Sequence, residues 1–326
     1  MDLLPTAEQD EIVATVRSVL ANHHTLGEPL NDSLWQAAAD QGWFGLGLDE
    51  SMGGVGYSIV EEALLFTELG RAAVPGPFLA TVIAAHVAAS EPNAATVAAL
   101  VRGSDRAAMA EPFDAERTSV LDGPGSTWSL INDDDGLRLV ATDDLGPADA
   151  TDALDTLTPL ALVDQRATAS APVVVSATDP EPLRLRATLL VAAMAAGMAE
   201  ATAAQSVAYA LDREQFGQPI GTFQAVKHRC TDMATRAEVA VCQVRYASLA
   251  LRDGLAEAPF HIHAARVVAV RSAVENAEVN VQNHGGIGFT WEHTAHRYVT
   301  RARLLANQFG TPNGHLADML SATAPA

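Results

Sequence analysis

The chain has 326 residues, 48% of them apolar. That is enough to bury a large core but long for one simple domain, so two or three packed units are expected. Forty acidic against twenty basic side chains give a formal charge of −20. Such a charge repels a phosphate backbone and argues against a nucleic-acid partner, so a phosphate-bearing coenzyme would have to be met by individually placed arginines. From Thr6 to about Leu100 the pattern is helical, with Ile12, Val16, Val19 and Leu20 at three- and four-residue steps. The glycine-rich stretch from Gly42 to Gly56 interrupts it. No lysine or helix-opening Ser/Thr follows in the P-loop manner, so this stretch reads as a turn between helices.

Between Gly103 and Pro182 the texture changes to short β-favouring pieces, Leu137–Ala141, Leu160–Val163 and Pro172–Ser176, separated by Asp, Gly and Pro clusters. The acidic run Asn132–Gly136 reads as a hairpin connection. After Pro182 the chain returns to long alanine-rich helical segments, broken near Gly217 to Gly221, Gly254 and Gly285 to Gly288, which reads as a helix bundle. The expected domains are therefore helical over 1–102, a small β-domain over 103–182 and a bundle over 183–326. The longest apolar stretch, Leu189 to Ala199, ends at Glu200 and is too short to cross about 30 Å of hydrocarbon, so no membrane span is expected. The amino terminus has neither the basic start nor the small-residue cleavage site of a secretory signal, and the expected location is the cytoplasm. Cys230 and Cys242 lie in one helical region at a spacing that suits neither a zinc site nor a redox pair, and no metal site is expected.

Two segments carry chemistry. Arg213-Glu-Gln-Phe-Gly-Gln-Pro-Ile-Gly-Thr-Phe-Gln224, followed by Cys230-Thr-Asp-Met233, is similar to the Arg-x-x-Phe-Gly-x-x-Ile-x-x-Phe-Gln signature of acyl-CoA dehydrogenases. Gln282-Asn-His-Gly-Gly-Ile-Gly-Phe-Thr290 resembles the Gln-x-x-Gly-Gly-x-Gly-Phe/Tyr segment of the same family, and Leu69–Phe78 is weakly similar to its amino-terminal domain. The resemblance implies a mainly α, α+β fold: an amino-terminal helical domain, a reduced central β-domain and a carboxy-terminal four-helix bundle. It also implies FAD as cofactor, with Arg213 reaching the diphosphate and Phe216 and Gln224 lying around the adenosine half. Gln282, Gly285 and Gly286 would reach across a subunit boundary to a flavin held mainly by a neighbour. The physical chemistry agrees, since a guanidinium offers a fixed fork of donors to a pyrophosphate. Paired glycines let main-chain N–H groups come close to a ligand. Taken alone, Arg213 could equally pair with Asp212 or Glu214, Gly285-Gly286 could be a helix-ending turn, and His284 reads as a hydrogen-bonded structural histidine.

The pattern breaks where the proton should be abstracted. The family's reaction takes a proton from the carbon beside the thioester carbonyl, and a glutamate does so, usually within a Tyr-Glu-Gly-Thr segment. Here that stretch reads Gln308-Phe-Gly-Thr311, which puts Phe309 at the station. The family's second station, 26 residues before the motif arginine, falls on Ala187. No catalytic base is therefore assigned, with Glu200, Glu238 and Glu292 left as weak candidates. The β-domain departs as well: Ala110-Glu-Pro-Phe-Asp-Ala-Glu116 keeps only Glu-Pro of the family's flavin-ring stretch, and no tryptophan motif follows near Ala141 to Asp144. These features resemble the small subunits of heterotetrameric acyl-CoA dehydrogenases of steroid-degrading actinobacteria. The implied partners are a larger dehydrogenase subunit in an α2β2 assembly, an acyl-CoA substrate and an electron-transfer acceptor. Two rivals remain at this point: a self-sufficient homo-oligomer with a relocated base, and a flavin-free scaffold protein.

Overall fold

The computed structural model describes residues 3–91 and 93–325. Five helices come first: α1 (Ala7–His23), α2 (Asp32–Asp40), α3 (Ile59–Arg71), α4 (Phe78–Ala89) and α5 (Ala94–Val101). The strands β1 (Ala107–Pro112), β2 (Arg117–Leu121), β3 (Trp128–Asp133), β4 (Gly136–Ala141), β5 (Ala148–Thr151), β6 (Leu160–Asp164) and β7 (Val173–Ser176) follow, with the short helix α6 (Gln165–Ser170) before the last. Then come α7 (Glu181–Asp212), the two-residue strands β8 (Glu214–Gln215) and β9 (Gln218–Pro219), α8 (Gln224–Arg252), α9 (Ala258–His284), α10 (Ala295–Leu305) and α11 (Pro312–Ser321). The chain forms two compact units that interleave in sequence. One takes the residues up to Arg17, Ala63–Val74 and those from Thr188 on, and the other takes Ser18–Glu62 and Pro75–Ala187.

In the unit that holds the strands, the sheet runs β5-β6-β2-β1-β3-β4-β7, antiparallel except for the parallel β1–β3 pair. The expected acidic hairpin joins β3 to β4, with Asp133 opposite Gly136 and Arg138 holding the Asp133 carboxylate through two bonds of 2.6 and 2.7 Å. Strand β4 is buried over Gly136–Val140, which is why it reads as a nearly unbroken apolar run rather than an alternation. Beside the sheet, Trp35, Phe44 and Phe78 pack ring on ring, with centroids 4.3 to 5.8 Å apart. Buried aromatics of this kind supply large apolar area, and the Trp35 indole N–H is satisfied by the Gly103 carbonyl at 2.8 Å.

The other unit is helical. Gly70 of α3 faces Gly197 of α7: a Cβ on Gly70 would collide with the Met194 carbonyl, and one on Gly197 with that of Thr67. The two backbones touch where only glycine fits, which fixes the spacing of the pair. Asn276 of α9, fully buried, donates to the carbonyls of Ala199 on α7 and Met233 on α8 at 3.0 and 2.9 Å, and so ties three long helices together with no amide proton left unmade. Among the described residues only α7 is long and apolar enough to cross a membrane, yet 89% of its apolar window is buried within the protein. It is a core helix whose full length of 32 residues exceeds the apolar stretch visible in the sequence.

Candidate functional site

The arginine motif is the connection from α7 to α8. The chain leaves α7 at Asp212 and folds into a miniature hairpin in which Gln215 pairs with Gln218. The two turn residues, Phe216 (φ 55°) and Gly217 (φ 77°), both have positive φ, which is the condition of a type I′ turn. The hairpin is closed at its base by the Ile220 N–H donating to the Arg213 carbonyl at 2.7 Å. Arg213 is exposed, and its guanidinium has no hydrogen bond or ion pair among the described residues; neither Asp212 nor Glu214 takes it up. Phe216 is 91% exposed and touches Phe223 edge-on at 6.2 Å. Gln224, also exposed, is the first residue of α8.

The glycine motif ends α9. Gln282 is exposed on the last turn, and Gly285 closes the helix at φ 64°, ψ −142°, a conformation that favours glycine. A Cβ on Gly286 would meet nothing within 4 Å, so no packing inside the chain accounts for a glycine there. His284 is buried, bonded through Nδ1 to the Asn280 carbonyl at 2.7 Å and set between the rings of Tyr209 (4.3 Å) and His293 (4.4 Å). Burial is the main reason its pKa lies below the ordinary histidine value. The Tyr209–His284 pair joins the end of α7 to the end of α9, so Arg213, Phe216 and Gln224 share one end of the helical unit with Gln282, Gly285 and Gly286. That end presents the Arg213 cation, the Gln224 and Gln282 amides and the exposed Gly286 main chain at the surface. The residues fit a diphosphate and a planar base.

At the two base stations the side chains are apolar and enclosed. Phe309 is 6% exposed and Ala187 fully buried. The turn around Phe309 is held by Arg266, itself buried, which donates from one Nη2 to the carbonyls of Leu305 and Gln308 at 2.7 and 2.9 Å. Of the remaining carboxylates, Glu292 is exposed, and Glu238 is exposed and accepts from the Cys242 thiol at 3.5 Å. Glu200 is half-buried and pinned to Arg71 at 2.6 Å; burial pushes its carboxyl above the usual range despite that arginine. The Glu111 carboxylate of the Glu-Pro remnant accepts from Asn132 at 2.8 Å and is occupied within its own sheet.

Sequence reading missed a buried polar centre in the strand-bearing unit. Glu62, 1% exposed, accepts from His86 Nε2 at 2.9 Å and from the Gly47 N–H at 3.2 Å, and pairs with Arg186. Burial pushes the Glu62 carboxyl up, but His86 and Arg186 outweigh it and hold it below the usual carboxylate range. Burial also lowers His86, whose imidazole we take as neutral and donating, with Arg186 supplying the charge that pairs with Glu62. The partners lie 24 and 124 residues from Glu62, beyond any local pattern.

Comparison with known proteins now defines the class. The families described as "Acyl-CoA dehydrogenase, N-terminal domain" and "Acyl-CoA dehydrogenase, C-terminal domain" match residues 6–95 and 186–322, and the chain belongs to the acyl-CoA dehydrogenases, a family of FAD-dependent oxidoreductases. It is 30% identical to the acyl-CoA dehydrogenase IpdE2 of Mycobacterium tuberculosis over 95% of both chains. To the acyl-CoA dehydrogenase FadE34 of the same organism it is 35% identical over 83% of its own length, while spanning 39% of that protein. Among solved structures it is similar to a variant of the Tcur3481–Tcur3483 steroid ACAD (TM-score 0.82, 25% identity, 96% of this chain and 98% of that one). The same fold, at TM-score 0.82 and 23% identity over the whole of both chains, occurs in the ChsE4–ChsE5 complex from Mycobacterium tuberculosis.

Proposed function

We propose that this chain is the base-less small subunit of a heteromeric acyl-CoA dehydrogenase, completing an FAD site housed mainly in a larger partner. FAD, when bound, supplies the electron sink for α,β-dehydrogenation of an acyl-CoA thioester. This chain contributes the Arg213 guanidinium toward the diphosphate, Phe216 and Gln224 around the adenosine half, and Gln282 with the Gly285-Gly286 main chain from the second motif. It contributes no base, because Phe309 and Ala187 cannot accept a proton. The observation that carries the reading is the contrast between these sites: Arg213, Phe216, Gln224, Gln282 and Gly286 stand exposed, with the Arg213 guanidinium unpartnered among the described residues, while both base stations are filled with buried apolar side chains. The steroid-related and two-chain character of the structural neighbours supports an α2β2 assembly working in the cytoplasm on a steroid-derived thioester, with a separate electron-transfer acceptor.

The chain purified alone is expected to be colourless and inactive, and to acquire flavin absorbance and turnover only when co-expressed with a larger acyl-CoA dehydrogenase carrying glutamate at one of the two stations. Arg213→Gln should lower the flavin content of that complex several-fold without preventing assembly. Stoichiometric flavin and turnover in the isolated chain would overturn the proposal.

A further inference from the structure

Helix α11 is docked in an unusual way. It has ten residues, and its one buried residue is His315. A helix this short is marginal in water and depends on a packed face, yet Leu316 and Leu320 are 43% and 75% exposed. What meets α9 is therefore an imidazole. His315, 3% exposed, faces His263 of α9, 8% exposed, with Nδ1 to Nδ1 at 3.1 Å and the rings tilted by 33°. Asp318, three residues after His315 and so on the same face of α11, brings a carboxylate to the pair. The three ligand atoms all lie within 4.8 Å of one another.

We propose that His263, His315 and Asp318 bind a zinc-class divalent cation that staples α11 to α9. Two nitrogens at about 2.0–2.1 Å from zinc at the tetrahedral angle stand about 3.3–3.4 Å apart, so the observed 3.1 Å needs a shift of only a few tenths of an ångström. Imidazole nitrogens with one carboxylate suit zinc and its transition-metal neighbours rather than calcium or magnesium, which prefer all-oxygen shells. Gly310 makes room for the His315 ring, since a Cβ there would stand 3.1 Å from its Nε2. Arg266, whose charge bears on His315, opposes a cation, and Asp318 is the only anion in the set. Binding should accordingly be moderate, with the fourth position left to water.

The competing account of the same geometry is a plain hydrogen bond between the two imidazoles. The full chain, stripped with chelator, is titrated with Zn2+ by calorimetry and with Co2+ by visible absorption. One equivalent per chain, with the intense ligand-field bands of a four-coordinate cobalt site and a zinc-dependent rise in Tm, is expected. Asp318→Ala, an exposed change that leaves the fold intact, should weaken binding at least tenfold, and His263→Gln should remove it, while His23→Ala, at the end of α1, should leave it unchanged. No saturable binding, or binding that Asp318→Ala does not alter, would overturn the proposal in favour of the hydrogen bond.

Discussion

Two phenylalanines of the helical unit have nearly the same backbone, Phe216 at φ 55° and Phe309 at φ 54°, and each precedes a glycine of positive φ. Left-handed backbone is costly for a bulky residue, of order 1 kcal/mol or more. At Phe309 the cost is offset: the ring is buried and the turn is clamped by Arg266. At Phe216 little offsets it: the ring is 91% exposed and meets only Phe223 edge-on among the described residues, at the tip of a two-residue turn where Asn-Gly would sit more comfortably. The Phe309 ring serves the stability of this chain, and the Phe216 ring contributes little to it.

The sharpest way to break the comparison is at Phe309. Phe309→Ala should destabilise the chain by about 3–5 kcal/mol, the usual cost of emptying a buried aromatic site, read as a shift in urea midpoint without a change in slope. If the flavin is housed in a partner as proposed, Phe309→Glu should not give the isolated chain dehydrogenase activity. A fully stable Phe309→Ala protein would remove the distinction drawn between the two turns.

The contrast between inward and outward charge extends to the arginines. Arg186 is tied to the buried Glu62, whereas Arg213 stands alone at the surface. Glu62→Gln should cost about 3 kcal/mol near neutral pH, since it strips the anion from a buried pair. The pH dependence has a definite sign. Both Glu62 and His86 have folded pKa values below their ordinary 4.5 and 6.5, so each contributes stability that is complete above the unfolded value and is lost as pH falls through the folded one. The native chain should weaken on acidification from about pH 6.5 downward, and the gap between it and Glu62→Gln should narrow as it does. Arg213→Gln should leave the same curve within about 0.5 kcal/mol of the native one, as for an unpartnered surface residue.

The sequence made the helix–sheet–helix order legible because the apolar period changes at the boundaries, and it made the exposed end of the helical unit legible because Arg213, Phe216 and Gln224 lie in one local run. Strands β1 to β3 and β5 were not singled out, as Ala107–Ala110 carry little β-branching and are strands only because Met109 finds Leu121 on one side and Leu130 on the other. The Glu62–His86–Arg186 centre and the His263–His315 pair were invisible for a different reason. Their members are brought together by packing across 24, 124 and 52 residues, and no spacing rule reports that.

The smallest expected effect on stability is the most discriminating for function. Phe216→Asn replaces a strained aromatic by the residue that a type I′ turn prefers, and since the ring buries almost nothing, the isolated chain should gain up to about 1 kcal/mol. If the ring exists to lie against a coenzyme in a partner's site, the co-expressed complex should behave oppositely, losing flavin on gel filtration faster than the native complex does. A change of the same sign in both measurements would mean that Phe216 is an ordinary surface residue, whereas opposite signs require a ligand or partner that the exposed ring meets only in the assembly.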